Sequence, residues 1–300
     1  MKKLFGVTTA MVTPMNEDGT INLQETEKLT NFLIEKGVDC LYPLGTTGEM
    51  FKLTIEERKQ IAESVIKTAN NRVNVFIHAG TMNTQDTLNL AMHACESGAD
   101  GIGVVTPAFF SVSDLEIENY YATIAKRLPE DFPIYLYSIP QLSGNKLSVE
   151  VVASLAEQFP NIIGIKYSNP DFNTLKDYIK VRSGNFSVLT GADTLFLPAL
   201  AMGCDGVVSG VSGVFPEPFV KIYKQYQENQ VDKAREIQHI ADEIIQILHG
   251  GANISYFKKA LELRGIQAGS VKAPQLDINA NEISALEKEI DQWKERYFKL

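Results

Sequence analysis

The chain has 300 residues, of which 44% are hydrophobic, and it carries a formal net charge of −9. This length and composition allow one large domain with a full hydrophobic core. The acidic balance argues against a nucleic-acid partner, which requires clustered lysine and arginine. No stretch approaches the roughly 18 uninterrupted apolar residues of a membrane span, and the N-terminal residues lack the apolar run of a secretory signal. We therefore expect a cytoplasmic protein with no membrane partner.

Short β-rich runs alternate with longer amphipathic runs from the first residues to about residue 228, as expected for repeated βα units. These runs predict eight strands, at residues 5–12, 39–44, 73–79, 100–105, 133–138, 162–167, 186–190 and 205–209. Nearly continuous apolar strands are typical of a parallel sheet that is buried on both faces. Eight βα units in about 225 residues favour an α/β fold of the (β/α)₈ TIM-barrel type.

The alternative architecture is an open, doubly wound sheet. Its signature is a glycine-rich GxGxxG turn directly after the first strand. The chain reads TTAMVTPMNEDG at this point, which does not match that signature. The sequence therefore favours the closed barrel.

The boundaries of several helices are marked by their capping residues. Thr54 followed by Glu57 predicts a capping box at the start of a helix over residues 54–69. Gly37, Gly98 and Gly203 each stand where a helix would end and a strand begin, the place where a left-handed C-cap is expected.

Residues 229–300 contain no convincing strand. They predict helices at 230–248, 254–265 and 282–297, joined by a loop that contains glycine and proline. We therefore predict a barrel at residues 1–228 and a helical C-terminal extension at residues 229–300 that packs on it.

The cysteines and histidines indicate neither a disulfide framework nor a metal site. Cys40, Cys95 and Cys204 are far apart, each in an apolar segment, without the paired spacing of disulfides or zinc ligands. Since buried free cysteine behaves as a small hydrophobe, we interpret all three as reduced core thiols. The four histidines show no metal-ligand spacing, and we interpret His78, at the end of the third strand, as a packed residue.

Lys166 is the leading candidate for catalysis. Active sites of such barrels lie at the C-terminal ends of the strands, and Lys166 ends the sixth strand after the apolar residues 162–165. Desolvating an ammonium is costly, so a lysine at this place requires a reason. One interpretation is an amine that attacks a ketone carbonyl. The other is that the strand has ended and the ammonium reaches water.

Three further groups of residues end strands at the same rim. Tyr137 ends the fifth strand, where it would lie beside Lys166 and could relay protons, or serve only as a rim aromatic. Residues 45–49 (GTTGE) follow the second strand, where amides and hydroxyls suit a carboxylate or a phosphate, or only a tight turn. Residues 191–193 and 209–210, after the seventh and eighth strands, could line the pocket or simply pack.

Three motifs occur in order at these strand ends: GTTGE at 45–49, YSIP at 137–140 and GIK at 164–166, with VTP at 105–107. Together they resemble the dihydrodipicolinate synthase and N-acetylneuraminate lyase family of class I aldolases, essentially from end to end. The resemblance implies that Lys166 forms a Schiff base with pyruvate or a 2-keto acid and that Tyr137 shuttles protons. It implies that Thr46 and Thr47 bind the pyruvyl carboxylate. It also implies a homotetramer and no cofactor. The predicted substrate-binding residues are Thr46, Thr47, Gly48, Ser168, Gly191, Asp193 and Val208.

The resemblance to the synthases breaks down at two positions. They carry an arginine two residues after the proline of the fifth-strand motif, where this chain has Leu142. They also use a tyrosine after the VTP motif, where this chain has Phe109. Both differences weigh against a dihydrodipicolinate synthase.

Residues 139–147 look like the corresponding segment of the N-acetylneuraminate lyases, but other positions differ. Asp193 is kept, while Thr194 replaces a glutamate, Gly210 stands at the place of a serine, and Ser168 replaces a threonine. We therefore predict a lyase that cleaves N-acetylneuraminate or another 2-keto sugar acid to pyruvate and an aldehyde. The synthase is the alternative in the same family. A phosphate-binding isomerase and a non-catalytic sensor are the competing hypotheses outside it.

Overall fold

The computed structural model describes residues 1–299 and is organised around a closed barrel of eight parallel strands. The strands, in barrel order, are β1 (Gly6–Ala10), β2 (Cys40–Tyr42), β3 (Asn74–His78), β4 (Gly101–Val105), β5 (Ile134–Ser138), β6 (Ile162–Tyr167), β7 (Ser187–Thr190) and β8 (Gly206–Ser209). Each of them lies within the residues predicted for it, and the (β/α)₈ fold is confirmed.

Helices connect the strands and continue into the C-terminal extension. They are α1 (Leu23–Glu35), α2 (Ile55–Ala69), α3 (Thr84–Glu96), α4 (Asp114–Ala125), α5 (Pro140–Ser143), α6 (Val149–Gln158), α7 (Phe172–Ile179), α8 (Phe196–Met202), α9 (Pro216–Gln227), α10 (Val231–Ile247), α11 (Ile254–Glu262) and α12 (Ala280–Tyr297). Within the described residues, no helix has the length and apolar character needed to cross a membrane.

The predicted capping residues are found at the helix ends. Thr54 and Glu57 form a capping box at the start of α2. Gly37, Gly98 and Gly203 have φ values of 85°, 84° and 102°, the left-handed conformation that glycine adopts without steric cost. Local sequence therefore determines where these helices begin and end.

Two apolar layers stabilise the barrel. Its interior is filled by small and aromatic side chains, among them Tyr42, Phe76, Tyr135 and Val208. A much larger cluster packs the outer strand faces against the helices. This burial on both faces explains why the strands are nearly continuous in apolar residues.

The last helix, α12, packs on α10 and on the residue that precedes α9. Trp293 of α12 is buried, contacts Phe215 edge to face at 5.0 Å, and donates a hydrogen bond from Nε1 to the Ile240 carbonyl. The predicted boundary at residue 228 falls between α9 and α10, and the division into two parts stays a prediction.

The cysteines are free, and two of them match the interpretation as core thiols. Cys40 and Cys204 are buried, and burial raises the pKa of each thiol to about 12. Cys95 is free as well, but it is only half-buried and packs at the edge of the core. It is the penultimate residue of α3.

Candidate active site

A cavity of about 340 Å³ opens at the C-terminal ends of the strands. The residues that line it come from the barrel strands, the βα loops and the extension: Ala10, Thr46, Thr47, Tyr137, Ile139, Gln141, Leu142, Lys166, Ser168, Gly191, Asp193, Val208, Gly210, Gly250, Gly251, Ala252 and Phe257. A larger cavity of about 530 Å³ lies between α10, α11 and α12, away from the strand ends. We take the smaller cavity as the candidate site because it contains the reactive strand-end residues.

Lys166 projects into this cavity from the end of β6 while remaining only 6% exposed. Its Nζ lies 4.2 Å from the centroid of the Tyr137 ring and 5.3 Å from that of Tyr42. Within residues 1–299 it makes neither an ion pair nor a hydrogen bond. An amine in such a place can reach a carbonyl carbon in the cavity without first breaking a salt bridge.

Tyr137 lies directly beside Lys166, as the strand order predicts. The two residues are paired in the register of β5 and β6. The Tyr137 hydroxyl shares a hydrogen bond of 3.2 Å with Oγ1 of Thr46, in the loop after β2. His78 is buried and packs edge-on against the Tyr137 ring, at 5.9 Å between centroids, so its interpretation as a packed residue is confirmed. Lys166, Tyr137 and Thr46 therefore form one contiguous group.

The loop that carries Thr46 and Thr47 has an unusual backbone. The residues on either side, Leu44 and Glu49, have positive φ values of 66° and 60°, which are uncommon for residues other than glycine. Gly48 allows a close approach, because an added Cβ would lie 2.9 Å from the Leu44 nitrogen. Both threonines line the cavity, but Gly48 does not. Its part in substrate binding stays a prediction.

A buried ion pair anchors the end of this loop at Glu49. Nζ of Lys258, on α11, lies 2.7 Å from Oε1 of Glu49, and both side chains are at most 1% exposed. Glu49 Oε2 also accepts hydrogen bonds from Nζ of Lys52 at 2.8 Å and from the Lys272 amide at 2.9 Å. The charge and hydrogen bonds of Lys258 lower the pKa of Glu49 against the opposing effect of burial. This pair was not predicted from the sequence, although Lys258 falls at helical spacing among the buried residues Ile254, Phe257 and Leu261 of α11.

The opposite wall of the cavity contains Ser168, Gly191, Asp193 and Val208, and their part in substrate binding stays a prediction. Ser168 packs closely over Gly191, where an added Cβ would lie 1.9 Å from the Ser168 hydroxyl. Asp193 Oδ2 accepts a long hydrogen bond of 3.4 Å from the Val211 amide, and Oδ1 has no described partner. Burial raises the pKa of Asp193 to about 6, opposed by hydrogen bonds and by the charge of Lys166.

The C-terminal extension closes one side of the cavity, which the sequence did not indicate. Gly250, Gly251 and Ala252 line it, together with the buried Phe257. His249, Gly250 and Gly251 all have positive φ, at 53°, 57° and 79°. The consecutive glycines were the available signal, because a turn of this shape is easily formed only by glycine.

Comparison with known proteins agrees with the geometry. The profile of the dihydrodipicolinate synthetase family matches residues 3–293. The chain belongs to this family. It is 32% identical over 289 residues to the 4-hydroxy-tetrahydrodipicolinate synthase of Bacillus subtilis, covering 96% of this chain and 99% of that protein. Members of the family are Schiff-base lyases, and this chain is accordingly a carbon–carbon lyase.

Solved structures of the family superimpose closely on the barrel and the extension. YagE, a prophage protein of E. coli K12 solved in complex with pyruvate, has a TM-score of 0.91 at 31% identity, covering 97% of this chain and 98% of that one. A catalytic lysine mutant of the Ruminococcus gnavus sialic acid aldolase has a TM-score of 0.92 at 26% identity, covering 99% of both chains. The family thus includes synthases and sialic acid aldolases on the same fold.

Leu142 and Phe109, the two positions that the sequence predicts to weigh against a synthase, lie in different places. Leu142 lines the cavity and is 64% exposed. Phe109 is 80% exposed and stacks edge to face on Phe110 at 5.0 Å, but it does not line the cavity of its own chain. Of these two positions, only Leu142 therefore faces a substrate in this cavity.

Proposed function

We propose that this enzyme is a pyruvate-dependent class I aldolase that reversibly cleaves a 2-keto sugar acid, such as N-acetylneuraminate, to pyruvate and an aldehyde. The observation that carries the proposal is the position of Lys166. Its amine projects into the cavity beside Tyr137, whose hydroxyl reaches Thr46. An unpaired amine next to a phenol and a hydroxyl is the arrangement that imine chemistry requires.

Lys166 attacks the C2 ketone, and loss of water gives a protonated imine. This cation accepts the electron pair of the C3–C4 bond, so that cleavage leaves an enamine, while the C4 hydroxyl loses its proton as the aldehyde forms. Tyr137 passes protons within hydrogen-bond reach of the reacting atoms. Thr46 and Thr47 hold the carboxylate, which fixes the orientation of the scissile bond.

The cavity favours a neutral, hydroxylated aldehyde over aspartate semialdehyde. A carboxylate placed against Leu142 would lose hydration without gaining the paired hydrogen bonds that an arginine provides. The Asp193 carboxyl lines the cavity and can accept a hydrogen bond from a substrate hydroxyl, and Ser168 adds a second polar group to the same wall. These contacts support a polyol tail.

The alternative is a 4-hydroxy-tetrahydrodipicolinate synthase, which condenses pyruvate with aspartate semialdehyde. Its support is the similarity of the chain to the 4-hydroxy-tetrahydrodipicolinate synthase of Bacillus subtilis. In that case a basic residue at a position other than 142 would have to bind the carboxylate of aspartate semialdehyde. A panel of coupled assays separates the two functions. Pyruvate release from sugar acids supports the lyase, and dihydrodipicolinate formation without any such release would establish the synthase.

Reductive trapping tests the central step. Borohydride added with pyruvate should attach one pyruvate-derived group to the peptide that contains Lys166, and the Lys166→Met variant should remain unlabelled. An unlabelled wild-type protein, under conditions that label a known Schiff-base aldolase, would refute the proposed chemistry. Labelling without turnover of any 2-keto acid would instead favour a sensor.

We further propose that the enzyme acts as a cofactor-free homotetramer in the cytoplasm. Exposed Phe109 and Phe110 side chains, at 80% and 73% exposure, form an apolar pair that suits an interface between copies. Free cysteines suit a reducing compartment. Sedimentation velocity should give four times the mass of one chain, and a single-chain mass at micromolar concentration would exclude the tetramer.

A further inference from the structure

The ammonium of Lys166 lies between two aromatic faces that come from different strands. Tyr137 on β5 is the nearer, with 4.2 Å between Nζ and the ring centroid, and Tyr42 on β2 is the second, at 5.3 Å. Both distances are within the roughly 6 Å over which a cation is attracted by the face of an aromatic ring. Tyr42 is fully buried in the barrel interior and does not itself line the cavity.

Two further titratable groups act on Lys166 electrostatically, His78 and Asp193, and only Asp193 can carry a negative charge. Burial and the charges of Arg58 and Lys166 lower the pKa of His78 well below its ordinary value, so His78 is neutral. Asp193 is the acidic group on this side, and its raised pKa of about 6 reflects a carboxylate that burial disfavours. No described carboxylate forms an ion pair with Lys166, so the aromatic faces are its immediate neighbours.

The hydroxyl of Tyr42 does not explain why a tyrosine is present. It is buried without a hydrogen-bond partner among the described residues. It packs against Gly103, where an added Cβ would lie 1.8 Å from the hydroxyl oxygen. Burial, with the nearby Tyr137, raises the pKa of Tyr42 well above its ordinary value, so the phenol stays neutral. The ring face, rather than the hydroxyl, is the part of Tyr42 that meets Lys166.

We propose that Tyr42 provides a second aromatic face to the protonated imine at Lys166 and thereby keeps that imine in its cationic form. This inference rests on the proposed function, because it concerns the Schiff base of that reaction. An aromatic face stabilises a cation without donating an electron pair to it. The imine carbon therefore remains an electron sink, and the nitrogen keeps its proton.

The ring of Tyr42 should change how tightly the imine nitrogen holds its proton. It should not change the conversion of the ammonium into the protonated imine. The ammonium and the protonated imine both carry one positive charge, so the ring stabilises both. The neutral imine carries none, and it is also the poorer electron sink. Removal of the ring should therefore lower the pH at which the enzyme-bound imine, at saturating pyruvate, loses its proton. The alkaline limb of the kcat–pH profile should move to lower pH with it.

The experiment traps the imine at saturating pyruvate across a range of pH. Borohydride reduces both imine forms, whereas cyanoborohydride reduces the protonated form, so the ratio of the two trapping rates reports the protonated fraction. We expect the midpoint for Tyr42→Leu to fall by about one pH unit, a tenfold change, which lies within the range of a desolvated cation–π contact. The Tyr42→Phe variant, which keeps the ring and loses only the unpartnered hydroxyl, should match the wild type.

Two controls separate this role from a structural one. Phe76 is another fully buried aromatic of the barrel interior, packed on Tyr135 at 5.4 Å, and Phe76→Leu should lower stability without moving the midpoint. Fluorinated phenylalanines at position 42 keep the shape of the ring while weakening its negative face, so the midpoint should fall stepwise with each added fluorine. This series also replaces Tyr42→Leu if that variant does not fold.

The outcomes distinguish the two proposals. A wild-type protein that borohydride does not trap would overturn the proposed function itself. If the wild type is trapped but Tyr42→Leu and Phe76→Leu have the same pH midpoint, the role of Tyr42 alone is overturned. The absence of a trend in the midpoints of the fluorinated series would overturn it as well. If the midpoint falls as far in Tyr42→Phe as in Tyr42→Leu, the effect belongs to the hydroxyl, and the proposal is also overturned.

Discussion

The buried ion pair beneath the threonine loop gives the most demanding prediction. Lys258→Met removes the ammonium from α11 and keeps an unbranched apolar chain of similar length. Glu49, at 1% side-chain exposure, then loses the cationic partner at 2.7 Å. It keeps its ion pair with Lys52 at 2.8 Å and the hydrogen bond from the Lys272 amide. The variant thus removes one buried charge, together with the hydrogen bond that Lys258 donates to the Ser270 carbonyl.

The expected loss of stability follows from the depth of the pair. Removal of one partner of a buried ion pair typically costs about 3–5 kcal/mol because the other charge is left uncompensated. The two remaining hydrogen bonds to Glu49 place this case near the lower value. An unfolding entropy of about 2.1 cal/mol/K per residue converts 3 kcal/mol in a chain of this size to a Tm lower by about 5 °C.

The pH dependence has a definite sign. The lowered pKa of Glu49 in the wild type stabilises the fold above its ordinary value of 4.5, and this stabilisation is lost as the pH falls through the lowered value. Without Lys258, burial dominates and the pKa of Glu49 rises. Protonation then relieves the buried charge, so Lys258→Met should be more strongly destabilised at pH 8 than at pH 5.

The same change should weaken pyruvate binding, since Glu49 ends the loop that carries Thr46 and Thr47. We expect KM for pyruvate to rise several-fold, with a smaller effect on kcat. Thermal unfolding and coupled kinetics measure the two effects separately. Lys259→Met is the matched control, because Lys259 forms only a partly exposed pair with Glu262 at 3.1 Å. Such pairs contribute about 0–1 kcal/mol.

The double variant Glu49→Leu with Lys258→Met decides whether the pair positions the loop. Replacement of both charges by apolar groups is often neutral for stability, so the double variant should recover much of the lost Tm. It should not recover the KM for pyruvate. Recovery of both would show that the pair serves stability alone. A loss below about 1 kcal/mol in Lys258→Met would refute the argument from burial.

Further predictions concern residues of the cavity itself. Tyr137→Phe deletes only a hydroxyl, so turnover should fall by about 10²–10⁴-fold, while the circular dichroism spectrum stays unchanged. Near-normal turnover would show that Tyr137 is only an aromatic residue of the barrel rim. Asp193→Asn should raise Tm at pH 7, because the raised pKa means that the ionised carboxyl destabilises the fold above about pH 6, while cleavage of sugar acids falls. Leu142→Arg should increase condensation with aspartate semialdehyde in a coupled assay, and an unchanged acceptor preference would remove Leu142 from the specificity argument.

The barrel could be predicted because each of its signals is local. Continuous apolar strands such as β6 report burial on both faces, and glycines such as Gly37 and Gly203 report the ends of helices. A regular alternation of the two leaves few alternatives to eight parallel strands. Strand order then brings Tyr137 next to Lys166, so part of the site followed from the fold alone.

The remaining features of the site depend on contacts between distant parts of the chain. Glu49 and Lys258 are 209 positions apart, and nothing near either residue identifies the other. The glycine turn at 250–251 lines the cavity only because α11 packs against the open end of the barrel. Tyr42 belongs to an apolar strand and looks like any core aromatic until its distance to Lys166 is known. Periodicity carries no information about such contacts.

The site divides into two halves that are built differently, and this division explains why the family was easier to predict than the substrate. The groups proposed for imine chemistry, Lys166 and Tyr137, end neighbouring strands, and Thr46 directly follows a third strand. The barrel thereby fixes their positions, and their motifs are recognisable in sequence. The groups proposed to meet the aldehyde, Leu142, Ser168 and Asp193, lie in α5 and in the connections after β6 and β7. Such connections can change without altering the barrel, so one imine site can serve acceptors of different chemistry.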